Sequence, residues 1–102
     1  MISNDQIFYN YNSDDINNMI NIIFNQSTGH KIVLVVNRDI LVEDLIIKYF
    51  KKVKKIYKSF NSENLEFVFN GNIINYYLDK NLILNEIGIR DRTASITVWD
   101  IN

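Results

Sequence analysis

The residue types that do most chemistry are scarce in this chain and do not cluster. There is one histidine and no cysteine, so disulfides, thiolate catalysis and thiolate metal sites are all excluded. His30 follows Gly29 at a turn, with no matched Ser or Asp spacing around it, and reads as a surface-loop histidine rather than a base or a ligand. The carboxylates Asp14-Asp15, Glu43-Asp44 and Asp91 are scattered, and their spacing matches no metal-binding pattern. Gly29, Gly71 and Gly88 stand apart from one another, so no glycine-rich loop is available to cradle phosphate. No catalytic residue, metal ligand or cofactor site is expected, and the chain does not read as an enzyme.

The remaining chemical feature is a row of lysines at 48, 51, 52, 54, 55 and 58. Such a row could attract nucleic acid or anionic lipid through salt-dependent contacts, and Lys51, Lys52, Lys54 and Lys55 are its candidate electrostatic contacts. No arginine lies among them, however, and the interleaved Tyr49, Phe50 and Tyr57 fall by their spacing on a buried stripe. A solvated helix face is the better reading.

With 102 residues the chain is one domain, and 47% hydrophobic content without proline argues against disorder over most of it. A net charge of −1 supplies no global field for a polyanion. The longest apolar run, Ile32–Val36, is too short to cross a bilayer, and Met1–Asn18 has neither a basic start nor a continuous apolar stretch. The reading is a soluble intracellular protein, cytoplasmic or nuclear, in which the Asn25 sequon is silent.

Residues 1–18 are polar except for Ile7–Tyr11 and read as a flexible extension; residues 19–102 form the domain. Ile20, Ile22 and Phe24 alternate as a strand, and the loop 26–29 leads into a second, Lys31–Val36, with Ile32, Leu34 and Val36 on one face. Val33 and Val35 make its other face more apolar than a solvated one should be. A helix from Leu41 to Tyr57 carries a wide apolar stripe through Val42, Leu45, Ile46, Tyr49, Phe50 and Val53, with Glu43 and Asp44 in its first turn and lysines toward its end, as the macrodipole favours. Asn61–Asn64 ends that segment. Leu65, Phe67 and Phe69 then alternate with Glu66 and Val68, and Asn70-Gly71 is a strong hairpin signal leading into Ile73-Ile74. Residues 75–83 read as a loop. Leu84, Ile87 and Ile89 turn inward around Gly88, Arg90–Thr93 is a polar turn, and Ser95–Trp99 is the last strand, with Ile96 and Val98 opposite Thr97 and Trp99.

This order of elements, and the residues that carry it, resemble the ubiquitin-like family. Met19-Ile-Asn-Ile-Ile-Phe, the loop to Gly29 and Lys31-Ile-Val-Leu-Val-Val resemble its opening hairpin. Val42-Glu-Asp-Leu-Ile is similar to its helix start, Phe67-Val-Phe-Asn-Gly-Asn-Ile-Ile to its third strand and turn, and Leu84-Asn-Glu-Ile-Gly-Ile-Arg-Asp with Ile96-Thr-Val to its ending. The resemblance implies an α+β, β-grasp roll, a mixed sheet of four to five strands packed on one long helix. Three departures matter. No Gly-Gly tail follows Trp99, which argues against covalent conjugation and a sulfur-carrier role. Leu41 stands where the family places a capping Thr or Ser, so Asp39 is expected to cap the helix. The interval from Val42 to Phe69 is longer than in ubiquitin, which predicts a helix longer by about one turn.

The family's commonest binding surface is an apolar patch on the exposed face of the sheet. The resemblance places Val68 at the patch's central aliphatic position, Thr97 at its polar position and Trp99 at the neighbouring apolar one, while Ile23 corresponds to a smaller site on the first strand. The alternation independently turns Val68, Thr97 and Trp99 outward, and tryptophan is enriched among interface hot spots. The bland alternative is that Ile7–Tyr11 covers Trp99. The expected function is a noncovalent protein-protein interaction module whose partner is a protein, such as a helical ubiquitin-receptor-like module. The alternatives are a structural or adaptor subunit of a larger assembly, and a basic-helix module that binds nucleic acid or anionic lipid.

Overall fold

The computed structural model describes residues 18–56 and 65–100. The extension at 1–17, Tyr57, Lys58 and the segment 61–64 lie outside the described residues. The elements are β1 (Met19–Gln26), β2 (Lys31–Asn37), α1 (Val42–Ile56), β3 (Leu65–Phe69), β4 (Asn72–Ile74), α2 (Tyr76–Asp79), a 3-10 turn (Leu84–Ile87) and β5 (Thr93–Asp100). They build a five-stranded sheet in the order β2-β1-β5-β3-β4. The first and last strands lie side by side and parallel, and every other pairing is antiparallel.

Alternation dictates which side of the sheet is sealed. Ile20, Ile22 and Phe24 of β1, Ile32 and Val36 of β2, Phe67 of β3 and Ala94, Ile96 and Val98 of β5 are buried on one face, where Val42, Leu45, Ile46, Tyr49 and Val53 of α1 pack onto them. Leu34, Phe50, Leu65 and Phe69 are partly buried at the margin of this core. An aromatic group sits at its centre. Tyr49 lies 4.4 Å from Phe24 and 5.4 Å from Phe67, ring centre to ring centre, the second contact edge-to-face as the ring quadrupoles favour. The buried phenol of Tyr49 accepts a hydrogen bond of 2.7 Å from Gln26 Nε2, so the core's polar tip is satisfied.

The turn chemistry follows the sequence. Asn70 and Gly71 have φ of +51° and +79° and close the β3–β4 hairpin between the paired residues Phe69 and Asn72, as a two-residue turn of the primed type requires. Gly29 also has positive φ in the first hairpin.

Three expectations need correction. Residues 75–83 are not all loop: α2 forms because Asn75 Oδ1 accepts from the amides of Tyr77 and Leu78, while Asp79 Oδ2 accepts from Asn75 N. Local side-chain capping overrides the absence of a helical period in so short a stretch. The start of α1 does not rely on Asp39. Val42 N donates to Leu82 O and Glu43 N to Lys80 O, so carbonyls of the segment after α2 take the amides a side-chain cap would have taken, and Leu41 bridges to Ile83. The last strand begins at Thr93 rather than Ser95, because its parallel partner β1 continues the ladder to Asn21.

Candidate functional site

The outer face of the sheet is built by the residues that alternation turns away from α1. Thr97 of β5 is opposite Val68 of β3, Val68 is opposite Ile73 of β4, and Trp99 is opposite Glu66. On the other side, Ile23 of β1 is opposite both Ser95 of β5 and Val33 of β2. Because strands stand about 4.8 Å apart, these pairings form two neighbouring rows, Val33–Ile23–Ser95 and Thr97–Val68–Ile73. Trp99 is two residues beyond Thr97 on the same face of β5.

The degree of cover differs among them. Trp99 is 49% exposed, Ile73 59% and Val35 60%, whereas Val68, Thr97 and Ile23 are half-buried by their neighbours. The fold therefore brings Val68, Thr97 and Trp99 together across β3 and β5, with Ile23 on the same face one strand away. Ile73 and Val33 extend the surface, and they did not figure among the expected site residues. Their signal was present in the alternating residues of β2 and β4, but nothing in a single strand says which strand will lie beside it.

The remaining candidates are dispersed. Lys51, Lys52, Lys54 and Lys55 are exposed on α1, on the opposite side of the sheet from Trp99. Lys52 Nζ donates to Val33 O at 2.5 Å. His30 is exposed in the first hairpin, with Nδ1 2.8 Å from Thr28 Oγ1. Among the described residues, no group of three or more His, Cys, Asp or Glu side chains could hold a metal ion, and no helix is long and apolar enough to cross a membrane. The Tyr76 hydroxyl donates to Glu43 Oε2 at 3.1 Å, and this bond to a carboxylate, with some desolvation, holds the phenol above its ordinary pKa.

No protein-family model matches the sequence, and no curated protein does. Solved structures do match. A chain from a structure described as "Molecular Mimicry of SUMO promotes DNA repair" is 19% identical, with a TM-score of 0.58 over 88% of this chain and 96% of that one. The UBL domain of Plasmodium falciparum Dsk2 is 25% identical, with a TM-score of 0.54 over 79% of this chain and 96% of that one. The chain has the α+β, ubiquitin-like β-grasp fold.

Proposed function

We propose that this ubiquitin-like β-grasp domain is a noncovalent protein-interaction module that binds a protein partner through the outer face of its sheet. The observation that carries the reading is the half-exposed indole of Trp99, on the same face as the Val68–Thr97 pair and continuous through Val68 with exposed Ile73. An amphipathic ring beside an aliphatic surface is a typical interface anchor, since it buries a large area with little loss of side-chain freedom. A helix with one apolar side fits this face, inserting aliphatic residues between Trp99 and Ile73 and leaving Thr97, Ser95 and Asn25 to polar contacts.

The fold neighbours support the class of function, since domains of this fold usually act by binding rather than by catalysis. An intracellular setting accords with a Dsk2-like neighbour. The reading makes Val68, Thr97 and Trp99 the principal contacts and Ile23 a peripheral one. The test is an amide-resolved NMR titration of the labelled chain with a panel of helical ubiquitin-receptor modules at two salt concentrations. Shifts centred on Val68, Thr97 and Trp99, unchanged by salt, are expected. Shifts on Lys51–Lys55 that vanish at high salt would replace this reading with an electrostatic one.

A further inference from the structure

The chain has three arginines, at 38, 90 and 92, and the fold brings all of them to the end of the sheet where β1 and β5 begin. Arg38 directly follows β2, and its amide donates to Asn18 O, just before β1, at 2.6 Å. Arg92 directly precedes β5, and its carbonyl accepts from Asn21 N of β1 at 2.8 Å. Because β1 lies between β2 and β5, Arg38 and Arg92 flank it about two strand spacings, roughly 10 Å, apart. Arg90 closes the group, since Arg38 Nη1 donates to its carbonyl at 2.6 Å.

Two of these side chains are aimed by neutral acceptors. Arg38 is held by the Arg90 carbonyl, and Arg90 Nε donates to Asn85 Oδ1 of the 3-10 turn at 2.9 Å. Among the described residues, neither Arg38 nor Arg90 forms an ion pair. The bonds therefore fix the direction of each guanidinium and leave its charge uncompensated by a bonded carboxylate. With Nη1 engaged, Arg38 presents its Nε–Nη2 edge, and with Nε engaged, Arg90 presents its Nη1–Nη2 end, so each keeps a two-donor fork. The neighbouring carboxylates alternate with the cations along the chain: Asp39 follows Arg38, and Asp91 stands between Arg90 and Arg92.

We propose that Arg38 and Arg90, with Arg92 beside them, form a binding site for a single phosphate monoester carried on a side chain of a partner protein. A phosphorylated side chain brings close to two negative charges and three acceptor oxygens, enough to engage both forks at once. A carboxylate brings one charge and two oxygens, which one arginine already satisfies, so the second fork gains little from it. The alternation with Asp39 and Asp91 favours an isolated phosphate over a polyanion. An RNA strand laid across Arg38, Arg90 and Arg92 would set its next phosphates against those carboxylates, and repulsion there offsets the attraction of the cations. The lysines of α1 carry the same charge but are point donors without a fork. Trp99 lies at the far end of β5, about 20 Å from Thr93, so the arginine site and the sheet-face surface are tested separately.

The test titrates the full chain, isotopically labelled, with four probes: a short Gly/Ala peptide carrying one phosphoserine, the same peptide with serine or with glutamate at that position, and a short single-stranded RNA. The phosphoserine peptide is expected to shift the Nε–H signals of Arg38 and Arg90 and the amides around them, and to bind about tenfold more tightly than the glutamate peptide. The serine peptide should leave those signals unmoved. Arg38→Lys and Arg90→Lys, each with its fold checked by the amide spectrum, should weaken the phosphopeptide about tenfold although the charge is kept, because the fork is lost. Equal binding of the phosphoserine and glutamate peptides would overturn the proposal, as would full binding to both lysine variants. So would shifts confined to Lys51–Lys55 or to Val68, Thr97 and Trp99, displacement of the phosphopeptide by RNA, or no binding of the phosphopeptide at all.

Discussion

Trp99 sits on a strand whose neighbouring inward residue, Val98, is only 2% exposed, so one alternation separates a core residue from a surface one. Because the indole is half outside, Trp99→Ala should leave the urea-unfolding free energy within about 1 kcal/mol of the parent. The same change should weaken a sheet-face partner by at least tenfold, the behaviour of a hot spot, as measured by calorimetry. Equal losses of stability and binding would mean that the ring serves packing instead. Gly71 illustrates a different kind of residue effect. No atom lies within 4 Å of a Cβ added there, yet its φ of +79° belongs to the left-handed region. Gly71→Ala should therefore cost about 1–2 kcal/mol from backbone conformation alone, and Gly71→Asn distinctly less.

At the scale of elements, α2 is the instructive case. Four residues cannot hold a helix by propensity, so its ends must be fixed by specific bonds. Asn75 supplies the cap, and Asn75→Ala should cost about 1 kcal/mol and loosen the segment through Asp79, seen as faster amide exchange at Tyr77 and Leu78. Tyr76 ties this helix to α1 through Glu43. Its pKa is raised in the folded state, chiefly because the protonated hydroxyl donates to the Glu43 carboxylate. The contribution is therefore fully present below the ordinary phenol pKa near 10 and is lost as pH rises through the higher folded value. The melting temperature of the parent should fall more steeply as pH rises above the ordinary phenol pKa than that of Tyr76→Phe. The same segment places Leu82 O and Lys80 O on the first amides of α1, so a capping defect in α2 is expected to be felt at the start of the long helix.

For the molecule as a whole, the aromatic group joins sheet to helix. Phe24 is fully buried and contacts Tyr49 of α1 and Phe67 of β3. Phe24→Ala removes the contact common to both and should cost about 3–5 kcal/mol, a large fraction of the stability of a domain this size. Chemical denaturation should then show a midpoint shifted well to lower urea with an unchanged slope.

Local pattern was enough to determine the elements. Period-two alternation marked β1, β2, β3 and β5, the stripe from Val42 to Val53 marked α1, and Asn70-Gly71 marked the hairpin, because in each the chemistry lies within a few neighbouring residues. The outward direction of Val68, Thr97 and Trp99 was legible for the same reason. What α2 needed, the Asn75 side chain on the amides of Tyr77 and Leu78 and the Asp79 carboxylate reaching back to Asn75 N, has no periodic signature. The capping of α1 by Leu82 and Lys80 joins residues about forty positions apart. Only the tertiary structure decided that β1 would lie parallel to β5, which sets Ile23 beside Ser95 and carries the apolar surface across the sheet. Only it decided that β2 would be left at an edge beside the lysines of α1. Strand order is fixed by the joint packing of five strands on one helix, and no single stretch of sequence contains that sum.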